Sequence, residues 1–249
     1  MKQFICVIFS CLTLSSCDTK TQRQPNGINV SIVVDVTDIR LVYPDAESIL
    51  PLYDFSNEED RAATFRISTI TDRELNPDIE FHLPTGFETE RSNTDDDPDY
   101  RKKVIVQFLS SIRSTISEFN AKINRDTTFG NSECFTVIAK QLQLLAKERS
   151  IKGIALFYTD LQEKSQIFSC YSDASQALLL SQPEKVAALF DKTHLLPDKL
   201  KNITVCFVYH PISRDDDIRF MAMLKVYKLL LEPRGAKVIV KASNQNFEL

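Results

Sequence analysis

Oxygen-bearing side chains follow directly on an apolar stretch near the start of this sequence. The stretch is Val30–Val34, and it leads into Asp35, Thr37 and Asp38. Continuous apolar runs of this length, rich in Val and Ile, are typical of strands buried on both faces of a parallel sheet. Ligands of such sheets bind just beyond the carboxyl ends of the strands, which predicts a site around Asp35. In the alternative interpretation, Asp35 and Thr37 only cap the turn after a core strand.

A second group of oxygen atoms follows another apolar stretch, Gly153–Thr159, which ends in Thr159 and Asp160. Between the two groups along the chain, Thr127 and Thr128 lie in a loop just before a predicted helix. Hard cations such as Mg²⁺ take carboxylate, hydroxyl and water oxygens as ligands. If the two strands are neighbours, these side chains meet at one edge of the sheet.

Strands and helices alternate along the chain, and this order must position both groups. Apolar runs and alternating patterns predict strands, whereas apolar residues at intervals of three or four predict helices. With right-handed crossovers, the order gives an α/β fold, a three-layer αβα, doubly wound, mostly parallel sheet. The predicted strands are Val30–Val34, Thr64–Ile70, Ile79–Leu83, Gly153–Thr159, Ile203–Tyr209 and Lys237–Lys241, and the predicted longer helices are Asp99–Ile123, Glu133–Arg149, Pro183–Asp191 and Asp215–Glu232.

Local details of this prediction can be compared with the structure. Ser132 is expected to cap the helix Glu133–Arg149. The stretch Thr85–Asp99, with its acidic run, is expected to be a solvated loop or a helix start; a calcium loop is the alternative, although its spacing does not fit an EF-hand. The residues expected to face the core from the last helix are Ile218, Met221, Leu224, Tyr227 and Leu231.

This order of residues and elements resembles the von Willebrand factor A domain family. Members carry an Asp-x-Ser-x-Ser motif after the first strand, a threonine in a loop before a later helix and an aspartate after the fourth strand, and these residues form a metal-ion-dependent adhesion site. The resemblance covers residues 29–241. It implies a bound divalent cation, with Mg²⁺ as the first choice and Mn²⁺ or Ca²⁺ as alternatives. The ligands implied are Asp35, Thr37, Asp160 and Thr128, with Thr127 as the alternative to Thr128.

The sequence departs from the family motif at two positions. Ile39 stands where the second serine belongs, and Leu161 stands where a glycine often follows the second aspartate. The first departure removes a direct ligand, which water could replace only with weaker geometry. The fold implied by the resemblance is therefore better supported than the metal site.

The amino terminus has the features of a bacterial lipoprotein signal. Lys2 is followed by the apolar stretch Phe4–Leu14, and Leu14-Ser15-Ser16-Cys17 resembles a lipobox, in which Cys17 is lipidated. An ordinary signal peptide is the alternative. We therefore expect a membrane-anchored protein of the cell envelope, facing the periplasm or the cell surface. The predicted parts are a signal peptide (1–16), a tether (17–28), one domain (29–242) and a polar tail (243–249).

Composition limits the function further. The formal net charge of −4 gives no electrostatic reason to expect a nucleic acid partner. Of the cysteines after Cys17, at most one pair can form a disulfide, and Cys206, in an apolar run, is expected to be a buried small residue.

The resemblance implies a protein-binding domain rather than an enzyme, because family members bind a partner whose carboxylate completes the metal site. Two alternatives remain. One is a metal-free scaffold lipoprotein. The other is a haloacid-dehalogenase-like phosphatase with Asp35 as nucleophile, although Thr37 stands where that chemistry needs an acid.

Overall fold

The computed structural model describes residues 27–37, 42–56, 60–72, 76–123, 131–147, 151–244 and 247. Cys17, Asp38, Ile39, Thr127 and Thr128 lie outside these ranges, so the predictions that concern them stay predictions.

A single six-stranded sheet forms the centre of the described part. Its strands are β1 (Gly27–Asp35), β2 (Ala62–Ile70), β3 (Ile79–Leu83), β4 (Lys152–Tyr158), β5 (Ile203–Val208) and β6 (Lys237–Lys241). Their order across the sheet is β3-β2-β1-β4-β5-β6. Only the β2–β3 pair is antiparallel; the other four pairs are parallel.

Helices cover both faces of this sheet, so the predicted three-layer, doubly wound, mostly parallel fold is confirmed. The α-helices of the described residues are α1 (Ala46–Ile49), α2 (Gly86–Arg91), α3 (Tyr100–Lys122), α4 (Cys134–Lys147), α5 (Asp173–Ser181), α6 (Pro183–Asp191) and α7 (Arg214–Leu231). No helix among them is both long enough and apolar enough to cross a membrane.

Two apolar cores separate the layers, and β1 contributes to both because successive side chains point to opposite faces. Ile32 and Val34 pack in the core beneath α1 and α3. Val33 packs in the core beneath α4, α5, α6 and α7. Asp35 has the same parity as Val33, so its carboxyl points to the α4 side.

Two helices were missed by the sequence analysis. Within the stretch expected to be a solvated loop or a helix start, Thr85 and Glu88 form a capping box that starts α2. After β4, Ser172 accepts a hydrogen bond from the Ser175 amide and starts α5. Both helices are short, and their local capping signals carry the information that a search for apolar periodicity overlooks.

The buried face of α7 differs from the prediction. Ile218 and Met221 are 42% and 51% exposed. Leu224, Tyr227 and Leu231 are buried as predicted, together with Phe220 and Met223. Apolar residues occur on two faces of this helix, so its spacing alone allowed a wrong choice for the first two turns.

Residues on both sides of the range 29–242 take part in the described structure. β1 begins at Gly27, inside the predicted tether. In the predicted tail, the Asn244 side chain donates to the Tyr43 carbonyl at 2.7 Å and accepts from the Tyr158 hydroxyl at 2.9 Å. Cys134, Cys170 and Cys206 are all buried free thiols, as predicted for Cys206.

Candidate functional site

The carboxyl ends of β1 and β4 lie side by side. The two strands are parallel neighbours, and Val34 pairs with Tyr158 just before both strands end. The chain leaves β1 toward β2 on one side and returns in β4 on the other. This is the switch point of the sheet, where a crevice for ligands forms in doubly wound folds.

Asp35 is fully buried at this switch point, and both of its carboxylate oxygens accept hydrogen bonds. Oδ1 accepts from the Thr37 hydroxyl at 2.6 Å and from the Thr37 amide at 3.0 Å. Oδ2 accepts from the Thr159 hydroxyl at 2.9 Å and more weakly from the Cys134 thiol at 3.7 Å. Asp35 therefore joins β1, β4 and α4 directly.

Burial raises the pKa of the Asp35 carboxyl above its usual range, while the hydrogen bonds from Thr37 and Thr159 oppose that rise. Burial also raises the pKa of the Cys134 thiol, and the negative charge of Asp35 acts in the same direction. Cys134 therefore lacks the lowered pKa that activates a nucleophilic thiol.

Ser132 is a site residue that the sequence analysis assigned to another role. Its hydroxyl oxygen lies 3.2 Å from the Thr37 hydroxyl oxygen and 3.2 Å from the Cys134 sulfur. The expected cap of α4 is supplied instead by Glu163, whose Oε2 accepts from the Phe135 amide at 2.8 Å. A capping signal in the sequence thus marked a residue that belongs to the site.

Asp160 lies at the same edge, directly after Thr159, and one of its carboxylate oxygens accepts a hydrogen bond within its own loop. It is buried, and its Oδ1 accepts from the Gln162 amide at 2.8 Å. The next residue, Leu161, has a φ of 59°, in the left-handed region that favours glycine. Leu161 therefore adopts a backbone conformation that glycine reaches without steric cost.

Asp216 fixes the neighbouring part of this edge. Its Oδ2 accepts from the Tyr209 hydroxyl at the end of β5 and from the Ile212 amide at 3.1 Å. Its Oδ1 accepts from the Gln162 side chain at 3.3 Å. The start of α7 is thereby tied to the segment that follows Asp160.

The oxygen atoms at the switch point meet some of the requirements of a site for a hard divalent cation. Thr37 donates its hydrogen to Asp35 and retains oxygen lone pairs, and its oxygen lies 3.2 Å from that of Ser132. Two oxygen ligands of octahedral Mg²⁺, each at about 2.1 Å from the ion, lie about 3.0 Å apart. Among the described residues, no group of three His, Cys, Asp or Glu side chains is placed to hold a metal ion, so hydroxyls and water would have to supply most ligands.

Comparison with known proteins does not assign a family. No protein-family model matches this chain, and a search of curated proteins gave no match. The resemblance to the von Willebrand factor A domains stays a prediction, which rests on the residues quoted above.

Proposed function

We propose that this chain binds another protein at the carboxyl-terminal edge of its sheet, through a divalent cation held beside Asp35. The ligands in this proposal are Asp35, Thr37, Ser132 and Asp160, with Thr128 kept as a candidate outside the described residues. Mg²⁺ is the first choice, with Mn²⁺ and Ca²⁺ as alternatives. When bound, the cation supplies a positive charge that a carboxylate of the partner can coordinate.

One observation carries the proposal. Two hydroxyl oxygens from distant parts of the chain, those of Thr37 and Ser132, lie 3.2 Å apart next to the buried carboxyl of Asp35. Buried polar groups are costly unless they are paired or serve a ligand, and they cluster here at the switch point where ligands of such sheets bind. We retain with it the proposals that Cys17 is lipidated and that the chain is anchored at the cell envelope.

A metal-free scaffold protein is the second candidate. It is favoured by the hydrogen bonds of Asp35, since both of its oxygens already accept bonds from Thr37 and Thr159. In that case the same edge holds β1, β4 and α4 together, and a partner binds elsewhere.

Thermal unfolding with and without a cation separates the two candidates. A ligand that binds only the folded state raises its stability, by about 1.4 kcal/mol at ten times its Kd. We expect Mg²⁺ or Mn²⁺, each compared with EDTA, to raise the Tm of the wild-type protein. An unchanged Tm in both cations would favour the metal-free scaffold.

Two valine variants test where the cation that raises the Tm is bound. Thr37→Val removes the hydroxyl beside Asp35 and is expected to abolish the rise in Tm. Thr115→Val makes the same change on α3, on the opposite side of the sheet, and is expected to keep it. Loss of the rise in both variants, or in neither, would place the cation somewhere else.

A further inference from the structure

Glu163 is a carboxyl buried in the α4-side layer with only part of its hydrogen-bonding capacity used. It lies in the segment between β4 and α5, and its side chain is fully buried. Oε2 accepts from the Phe135 amide at the start of α4. Oε1 has no partner in hydrogen-bond geometry among the described residues. A buried carboxylate is stable only when its oxygens are paired, so the ionised form of Glu163 is unfavourable in the closed structure.

The charges and polar groups around Glu163 do not compensate for its burial. Burial raises the pKa of Glu163 from 4.5 to about 8, and the negative charges of Glu133 and Asp35 act in the same direction. The Ser165 hydroxyl and the Phe135 amide oppose that rise. The other titratable groups facing it are the Cys134 and Cys170 thiols and the Tyr227 hydroxyl of α7, which itself has no hydrogen-bond partner in the described structure.

The segment that carries Glu163 is held to the rest of the molecule by few bonds. Lys164 exchanges two backbone hydrogen bonds with Ser132, at 3.0 and 3.2 Å. The Gln162 side chain donates to Asp216 of α7 at 3.3 Å, and the Phe168 ring packs against Phe190 of α6 with ring centroids 6.2 Å apart. Within the segment, the Cys170 amide donates to the Glu163 carbonyl at 2.9 Å. At its start, Leu161 is in the left-handed region, where a residue with a side chain costs about 1–2 kcal/mol. Opening this segment separates Leu161, Phe168 and Cys170 from the α4-side core but requires no strand of the sheet to unpair.

We propose that Glu163 is a proton-controlled clasp, which in its neutral form holds the segment 161–171 against the start of α4 and in its ionised form releases it. An ionised Glu163 reaches water most easily by this local opening, because the alternative is a charge buried among acidic neighbours.

Release would also affect the candidate site. The bonds to Lys164 hold Ser132, and Ser132 lies beside Thr37. Binding at that site would therefore weaken at alkaline pH. This consequence rests on the proposed function, whereas the clasp itself does not.

Three buried thiols report on the opening. Cys134 and Cys170 lie in the α4-side core, around Glu163. Cys206 points into the α3-side core and serves as the internal reference. The full chain, without added cation, is treated with iodoacetamide at several pH values, and each cysteine is followed by mass spectrometry. Rates are divided by those of a free-cysteine peptide at the same pH, because the thiolate is the reactive form.

Local release predicts that Cys170 reacts faster than Cys206. Its corrected rate should rise with pH, by up to about tenfold per pH unit below pH 8, and then level off, since each opening event is linked to the loss of one proton. Equal rates for Cys170 and Cys206 would overturn the clasp, as would a corrected Cys170 rate that does not change between about pH 6 and about pH 8.

A matched pair of variants identifies the group that titrates. Glu163→Gln keeps an acceptor for the Phe135 amide but cannot ionise, and its Cys170 rate should be flat with pH. Glu90→Gln makes the same change at an exposed position of α2 and should behave as wild type. A wild-type pH profile in Glu163→Gln would overturn the assignment. If Glu163→Gln does not fold, the pH dependence of the Cys170 rate in the wild-type protein decides whether the clasp is correct. Because no cation is present, a failure here leaves the proposed function standing.

Discussion

Leu161 shows how a single residue sets the geometry of the candidate site. Its φ of 59° turns the chain directly after Asp160, and its side chain is fully buried. Burial favours leucine at this position, whereas the backbone conformation favours glycine. The two requirements conflict, and the turn is retained at the cost of backbone strain.

Replacing Leu161 separates these two effects. Leu161→Gly and Leu161→Ala both lose the buried side chain, but only glycine also removes the strain. We expect the glycine variant to be more stable than the alanine variant by about 1 kcal/mol. At Met221, an exposed position inside α7, the order should reverse, with alanine more stable by roughly 1 kcal/mol. Urea unfolding measures both pairs. An alanine variant at Leu161 that equals or exceeds the glycine variant would contradict the account of the turn.

At the scale of residues, only some members of the candidate site could be predicted from the sequence. Asp35, Thr37 and Asp160 could be found because each directly follows an apolar strand, and strand ends are visible in sequence. Ser132, Cys134 and Glu163 could not be found in this way, since they reach the site through contacts that span many residues along the chain. Ser132 was noticed, but its role was wrong, because a serine before a helix is a capping signal as well.

At the scale of elements, a buried polar link holds α4 in place. The Ser31 hydroxyl of β1 donates to Gln141 Oε1 at 2.9 Å, and Gln141 Nε2 donates to Asp78, just before β3, at 2.9 Å. Ser31 and Gln141 are both fully buried. Such a link fixes the position of α4 on the sheet. It thereby also positions Cys134, where the helix begins, and Ser132 just before it.

A double-mutant cycle tests this link. Gln141→Leu leaves the Ser31 hydroxyl buried without its partner, which should lower the free energy of unfolding by about 1–3 kcal/mol. Adding Ser31→Ala removes the unpaired group, so the double variant should be more stable than the sum of the single effects by at least about 0.5 kcal/mol. Ser110→Ala, on α3 at the opposite face, should combine additively with Gln141→Leu. Additive behaviour in both pairs would show that the link does not stabilise the helix.

The strands and helices could be predicted where apolar residues repeat regularly along the chain. All six strands and the four longer helices follow from apolar runs and periodicity, with boundaries that shift by a few residues. The short helices α2 and α5 were missed, and the phase of α7 was wrong at Ile218 and Met221, because apolar residues lie on two of its faces. Local capping residues mark the starts of α2 and α5, whereas tertiary packing decides the buried face of α7 and is not visible in a local pattern.

At the scale of the whole molecule, the strand order brings the residues of the candidate site to one edge. The order β3-β2-β1-β4-β5-β6 makes β1 and β4 neighbours, although more than a hundred residues separate them along the chain. The same edge then gathers Asp35, Thr37, Thr159 and Asp160, and the segment just before α4 adds Ser132. The proposed cation site therefore depends on the correct placement of β1, β4 and the start of α4.

Anomalous diffraction from a crystal of this protein soaked in Mn²⁺ tests the central claim most directly. Mn²⁺ takes the oxygen ligands that Mg²⁺ prefers, and its anomalous signal identifies its position. The account predicts a peak at about 2.1–2.3 Å from the hydroxyl oxygens of Thr37 and Ser132, next to Asp35. A soaked crystal with no peak at this edge, or with its only peak elsewhere, would contradict it.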